Sequence, residues 1–150
     1  MDKTDKSILN LLQQNARITN KELATQMGLS TTPVFERVKK LEKNGIIKNY
    51  VALVDHKKVD RNLVSFVSVR LEKHSKGQMV SFQSAITRLP EVMECYHMAG
   101  STDYLLKIAV SNMDDYKKFM TEKLSAIENV SSVESSFVMS EIKYETAYVV

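Results

Sequence analysis

The sequence predicts an α+β chain in two parts, three short helices followed by a strand–helix–strand–strand–helix–strand unit. Three observations point there. Over the first 45 residues, helical apolar periodicity recurs three times, each time with the residue types that start and stop helices. From residue 46 onward, β-branched and aromatic runs enter and alternate with two further helical segments. Between the two patterns lies DHKKVDRN at 55–62, a polar stretch with the character of a hinge.

Asp2 and Asp5, three residues apart, make an N-cap pair, and Ile8, Leu9, Leu11 and Leu12 give the first helix an apolar face through Asn15. Thr19 and Glu22 form a capping box, in which each side chain can accept from the other residue's amide. This second helix is short and ends at Gly28, a residue type that tolerates a left-handed turn. Ser30 caps a third helix, with Pro33 in its first turn, where a missing N–H costs little. That helix runs to Asn44, and Gly45 closes it. Residues 46–54 read as a strand, and 63–72 as another with Ser65, Val67, Val69 and Leu71 on one face. A helix at 78–89 rests on Met79, Phe82, Ile86 and Leu89. Strands at 92–99 and 104–110 meet at the turn Gly100-Ser101-Thr102-Asp103. A helix at 114–127 rests on Tyr116, Phe119, Met120, Leu124 and Ile127; 130–140 is the last core strand, and 141–150 is extended. Two strand–helix–strand units in tandem make a ferredoxin-like βαββαβ sandwich. A small doubly wound domain would show the same alternation, but the tight turn at Gly100 favours the antiparallel version. The expected domains are 1–54, a hinge at 55–62, and 63–150.

The 150 residues are 43% hydrophobic and 26% charged, an ordinary globular balance that excludes a disordered chain. A single cysteine, Cys95, excludes an internal disulfide framework and fits a reducing compartment. No apolar run is long enough to span a membrane, and the acidic, amphipathic first residues lack the plan of a signal peptide. A cytoplasmic protein is the expectation. Charge is uneven: residues 1–60 hold 11 Lys+Arg against 7 Asp+Glu, while residues 61–150 hold 10 against 11. The basic excess belongs wholly to the first part, as expected of the part that meets phosphate, although chance surface variation also gives such a difference.

Two short helices meeting across a glycine must bury their inner faces and need a small residue where they cross. Leu23, Ala24 and Met27, then Gly28 in the turn, then Leu29, Val34 and Val38 supply these. Ala24 lies four residues before Gly28 and Val34 six after it, the spacing of a helix-turn-helix. With the strand at 46–54, residues 1–54 are a helix-turn-helix of winged type; a generic three-helix packing is the alternative. In a helix-turn-helix, the second helix enters the major groove of double-stranded DNA by its N-terminal half. Setting aside Val34, Val38 and Leu41 as buried leaves Ser30, Thr31, Thr32, Pro33, Glu36, Arg37 and Lys40 as the DNA-facing set. Their hydroxyls can bond phosphates or base edges, and the Arg37 fork matches the O6/N7 pair of guanine. An ion pair with Glu36 or Glu42 is the other reading of Arg37. Lys39, Lys40 and Lys43 suit phosphate or solvent.

Three runs carry a family resemblance. One is Asp2-x-x-Asp5-x-x-Ile8-Leu9. The next goes from Leu29-Ser30-x-Thr32-Pro33 through Glu36-Arg37-Val38-x-x-Leu41-Glu42 to Gly45-Ile46-Ile47-x-x-Tyr50. The last is Glu94-Cys95-Tyr96-x-x-x-Gly100-x-x-Asp103-Tyr104-Leu105-Leu106. In order, and over essentially the whole chain, they resemble the Lrp/AsnC ("feast/famine") regulators of bacteria and archaea. The resemblance implies a transcription regulator that dimerises through its C-terminal sheets and often assembles further into octamers. It also implies an effector amino acid bound between C-terminal domains of neighbouring dimers, at a site drawn from Met98, Gly100, Ser101, Thr102, Asp103, Tyr104 and Ser135.

Chemistry is compatible with such a site. The 100–103 turn offers amides for a carboxylate and the Asp103 carboxylate for an ammonium. The same four residue types also make an ordinary hairpin turn. The family tends to place hydroxyl residues two apart on the last strand of this domain, where this chain has Val133 and Ser135. Val133 departs from that pattern, which keeps open a chiefly architectural, DNA-wrapping protein without a ligand response. Glu134, between them, is expected on the opposite face. Cys95 and His97 share a strand face, but no third partner stands at ligand spacing, and His56 and His74 fall in the hinge and a loop. With no phosphate-binding glycine loop and no paired carboxylates, no catalytic residue, metal site or cofactor is expected. An enzyme on this fold would have to work through Cys95 or His97.

Overall fold

In the computed structural model, which describes residues 1–150, local capping accounts for most of the helical start points. α1 (Lys3–Gln14) begins on a full capping box: the Asp5 amide donates to the Asp2 carboxylate at 2.9 Å, and the Asp2 amide to that of Asp5 at 3.1 Å. α2 (Asn20–Met27) has the expected box between Thr19 and Glu22. Gly28 then takes a φ of 64°, and the Leu29 amide closes the helix on the Ala24 carbonyl. α3 (Thr31–Lys43) has Ser30 at its cap position, but the Ser30 side chain makes no capping bond. An amide it would take, three residues on, belongs to Pro33 and does not exist.

The inner faces of these helices meet in one cluster: Ile8, Leu9 and Leu12 of α1, Leu23 and Ala24 of α2, and Val34, Val38 and Leu41 of α3. Residues 46–54, expected as a strand, form none. The Ile46 and Ile47 amides turn back onto the Leu41 carbonyl at 3.0 and 3.2 Å. No other strand exists in this unit, and β-branched composition makes no sheet without a ladder partner.

The end of the chain also differs from expectation. Met1–Leu53 and Ile142–Val150 form one compact unit and Val54–Glu141 the other, so the last nine residues pack with the helices rather than with residues 63–141. Gln13 of α1 holds Tyr148 by both ends of its amide. Its Nε2 donates to the Tyr148 carbonyl at 3.0 Å, and its Oε1 accepts the Tyr148 amide at 2.7 Å. Val150 packs against the helical cluster. Gln13→Leu is expected to remove both bonds and to destabilise this unit by about 1 kcal/mol, read as a lower unfolding temperature.

In the second unit, the expected hinge is ordered into a 3-10 turn at His56–Val59, because the Asp55 carboxylate accepts the Lys57 amide at 3.0 Å. Alternation then builds β1 (Leu63–Leu71), with Ser65, Val67, Val69 and Leu71 buried and Phe66 and Arg70 exposed. α4 (Lys76–Ile86) starts two residues before its expected position and ends three short, Leu89 being drawn into a turn by its amide on Ile86. β2 (Val92–His97) and β3 (Tyr104–Val110) follow. α5 (Met113–Lys118) runs into a π-helical stretch at Phe119–Leu124, and β4 (Val130–Phe137) completes the unit.

The four strands form one antiparallel sheet in the order β2-β3-β1-β4, which is the ferredoxin-like arrangement. Phe82 and Ile86 of α4, with Tyr116, Phe119 and Leu124 of the α5 segment, cover one face and bury Val67, Val69, Leu106 and Ile108. On the other face, Phe66, Tyr96 and Glu134 are exposed and Leu105 is half-buried. Glu134 stands opposite Ser68, facing away from the helices as expected.

Candidate DNA-binding and effector sites

Because Val34, Val38 and Leu41 hold α3 to the cluster, much of the rest of that helix is left to solvent. Ser30, Thr31, Thr32, Pro33, Glu36 and Lys40 are all exposed. Phe35 joins them, which subtraction of the buried stripe from the sequence had missed. It is 37% exposed beside a Val34 at 0%, and Lys39 Nζ lies 4.3 Å from its ring centroid. The available signal was spacing: Phe35 is four residues after Thr31 and four before Lys39, both on the solvent side.

Arg37, expected from the sequence as the guanine reader, is engaged elsewhere. Its Nη1 donates to Asp2 Oδ2 and to Asp5 Oδ1, each at 2.7 Å, so the guanidinium ties α3 to the capping box of α1. With both Nη1 hydrogens spent on these carboxylates, only Nη2 and Nε are left to face a base. The other sequence reading, a pair with Glu36 or Glu42, is not formed either. Glu42 accepts from the Tyr50 hydroxyl at 2.9 Å, and loss of water followed by that carboxylate pushes Tyr50 up to about 12.

Both aspartates of the clamp sit below their ordinary value of 3.8. For Asp2 the larger cause is the Asp5 amide and the next is Arg37; for Asp5 it is Arg37 and then the Asp2 amide. A carboxyl lowered on folding stabilises the fold fully above its unfolded value and loses that contribution as pH falls through the folded one. The unfolding temperature of the helical unit is therefore expected to drop once pH is taken below 3.8, and Arg37→Met to blunt the drop. Circular dichroism melts across that range provide the check.

The second candidate site is the turn between β2 and β3. Gly100 has a φ of 146°, a conformation that residues with a Cβ rarely adopt. The Met98 amide donates to the Asp103 carbonyl at 2.8 Å and the Asp103 amide to the Val69 carbonyl at 3.0 Å. The amides of residues 99–102 make no hydrogen bond within the chain. Thr102 adds a hydroxyl bond to the Val69 carbonyl at 3.0 Å, while Met98, Gly100 and Ser101 are exposed.

Asp103 is anchored twice: its Oδ2 accepts the Leu71 amide at 2.7 Å, and its Oδ1 meets His74 Nε2 at 2.9 Å. The Leu71 amide first, and His74 after it, hold the carboxyl below its ordinary value. The turn thus sets a fixed anion beside unspent amides, the two features that an ammonium and a carboxylate on one small molecule require. His74 belongs to this site through a contact 29 residues away, which no local pattern announces.

Two expected members stand differently. Tyr104 is 1% exposed; its ring packs on Phe82 at 4.6 Å and on His97 at 5.0 Å, and its hydroxyl accepts from Gln83 Nε2 at 2.9 Å. Strand alternation puts it with Leu106 and Ile108 on the helix face, so it supports the turn from inside and offers a ligand no surface. Ser135 pairs with Val67 across the sheet, and its Oγ accepts the Tyr116 hydroxyl. Val133 stands opposite Val69, the residue whose carbonyl holds the turn, so the position nearer the turn is apolar.

Cys95 is half-buried on the helix face of β2, opposite Leu106, and burial pushes its thiol up, the reverse of what a nucleophile needs. No three His, Cys, Asp or Glu side chains are grouped to hold a metal ion, and no helix is long and apolar enough to cross a membrane.

A family model described as the Lrp/AsnC ligand binding domain matches residues 64–148, and one described as winged helix-turn-helix DNA-binding matches residues 1–48. A leucine-responsive regulatory protein of Klebsiella pneumoniae is 38% identical over 150 residues, covering 100% of this chain and 92% of that protein. An AsnC family transcriptional regulator from Agrobacterium tumefaciens superposes with a TM-score of 0.93 at 38% identity, covering 99% of this chain and 96% of the other. A transcriptional regulator from Neisseria meningitidis, solved as a complex with L-Met, gives 0.93 at 36% identity with 99% and 96% coverage.

Proposed function

Since the chain belongs to the Lrp/AsnC family of DNA-binding transcriptional regulators, we propose that it recognises a specific DNA sequence as a dimer or larger assembly, and that a small amino acid tunes that assembly or its DNA affinity. It is a regulator rather than an enzyme. On the DNA side, Ser30, Thr31, Thr32, Pro33, Glu36 and Lys40 meet the major groove and flanking phosphates, while Arg37 holds their helix in place. Its working compartment on this reading is the cytoplasm.

The Asp103 turn carries the effector reading. It presents a charged carboxylate held by two bonds next to unspent amides, with Met98, Gly100, Ser101 and Thr102 around it. L-Met, the amino acid in the Neisseria complex, has the ammonium and carboxylate that such a turn suits. Self-association is supported by the sheet face that leaves Phe66 and Tyr96 exposed. It is supported as well by the unpaired segment with exposed Tyr50, Val51, Leu53 and Val54. Dimers that assemble further, up to octamers, would let a ligand held between them change how many DNA half-sites are engaged together.

The test is binding of the purified protein to its own upstream DNA at two salt concentrations, with and without each amino acid, alongside sedimentation of the same samples. Affinity is expected to fall steeply with salt, and one or a few amino acids to shift affinity or oligomer size. Val133 favours a second reading, since this chain departs there from the hydroxyl pattern that the family tends to place on its last strand. If saturating amino acids move neither quantity, the protein is an architectural DNA binder and the effector reading fails.

A further inference from the structure

We propose that Phe35 reads the 5-methyl group of a thymine in the major groove, a role that rests on the sequence-specific binding proposed above. Single exposed apolar side chains are common on protein surfaces and need no function. What sets Phe35 apart is its place. It lies in the second turn of α3, within the half of a recognition helix that enters the groove. More than a third of it is open to solvent while Val34 beside it is fully buried, and Lys39 lies over its ring.

Charge commits the occupant. Lys39, Lys40 and Lys43 are exposed on the same helix, so the surface that fits an aromatic ring set among these lysines is a polyanion. The apolar group that a base pair shows in the major groove is the thymine methyl, and phenylalanine is among the side chains that pack on it. Glu36, the acidic neighbour, has its own partner there, because a carboxylate can accept from the amino group of cytosine. Phe35 therefore supplies apolar readout where the surrounding hydroxyls and amines supply polar contacts.

The experiment couples one side chain to one methyl group. Duplexes are selected from a random library by the full-length wild-type protein, and each thymine of the preferred duplex is replaced in turn by deoxyuridine, which lacks only the methyl. Binding by fluorescence anisotropy at one salt concentration is then compared for wild type, Phe35→Ala and Phe35→Leu. Wild type is expected to lose about fourfold in affinity at one thymine per half-site, the worth of one buried methyl (about 0.8 kcal/mol). Phe35→Ala should bind the parent duplex more weakly and be indifferent to that replacement, with Phe35→Leu in between.

Thermal melts of the three proteins confirm that each is folded. No effect of deoxyuridine on wild type, or the same effect in wild type and Phe35→Ala, overturns the assignment. A wild-type protein that binds DNA with lysine-dependent affinity but enriches no sequence overturns the sequence-specific reading and this one together, whereas loss confined to the methyl coupling leaves the former standing.

Discussion

Ala24→Leu is expected to be the most damaging single change in the helical unit, lowering its unfolding temperature by on the order of 10 °C and weakening DNA binding with it. Ala24 is 2% exposed and shares its cluster with Leu23, Val34 and Val38. The extra isopropyl group of leucine has no open space to enter, so α2 or α3 must shift. Overpacking of this kind costs roughly 1–3 kcal/mol. A unit of about sixty residues holds only on the order of 3–9 kcal/mol in total. The shift would also move Thr31, Thr32 and Phe35, so DNA affinity should suffer even below the melting range. Circular dichroism melts and anisotropy titrations of Ala24→Leu, with Ala24→Ser as a small-volume control, measure both effects. A melt unchanged by leucine would mean that the cluster has room at this crossing, and the packing described for it would have to be revised.

The second large effect is expected at Asp103, where two substitutions separate support from charge. Asp103→Ala leaves the Leu71 amide without its 2.7 Å partner and His74 without its own. An orphaned, partly buried amide costs about 1–3 kcal/mol, so the sheet unit should melt earlier. Asp103→Asn keeps an oxygen that can accept from the Leu71 amide but carries no charge. It should therefore melt close to wild type and yet bind an amino-acid effector roughly tenfold to a hundredfold more weakly, the worth of one hydrogen bond to a charged group. Calorimetric titration with the amino acid that shifts the wild type tests this. Wild-type affinity in Asp103→Asn would remove the ammonium from this turn and leave Asp103 with a purely structural role.

What was legible in the sequence was mostly what is local. The boxes at Asp2/Asp5 and Thr19/Glu22 and the glycine stop at Gly28 each lie within a few residues, and the structure forms them as expected. The alternation of β1 and the antiparallel turn at Gly100 were readable for the same reason. Local chemistry misled where a partner elsewhere decides. Residues 46–54 have strand composition but no ladder partner within their unit. For Arg37 its own helix offers only Glu36 and Glu42 as ion-pair partners, yet the ones it takes stand 32 and 35 residues away, at the start of α1. The family resemblance puts Tyr104 among the effector residues, whereas the alternation that buries Leu106 and Ile108 puts it inside. His74 and the bond between Gln13 and Tyr148 join residues far apart in the chain, and no short-range pattern announces such contacts.

The two-piece construction of the helical unit bears on how such regulators can be recombined. A chimera that exchanges residues 1–53 between relatives, treating them as a self-contained reading head, would carry α1 away from the segment that Gln13 grips at Tyr148. The junction that respects the physics has two cut points, one after Leu53 and one before Ile142, with both pieces taken from the same parent. Recombinants cut only once should express as less stable readers, and restoring the matching tail should repair them without touching the sheet that lies between the cuts.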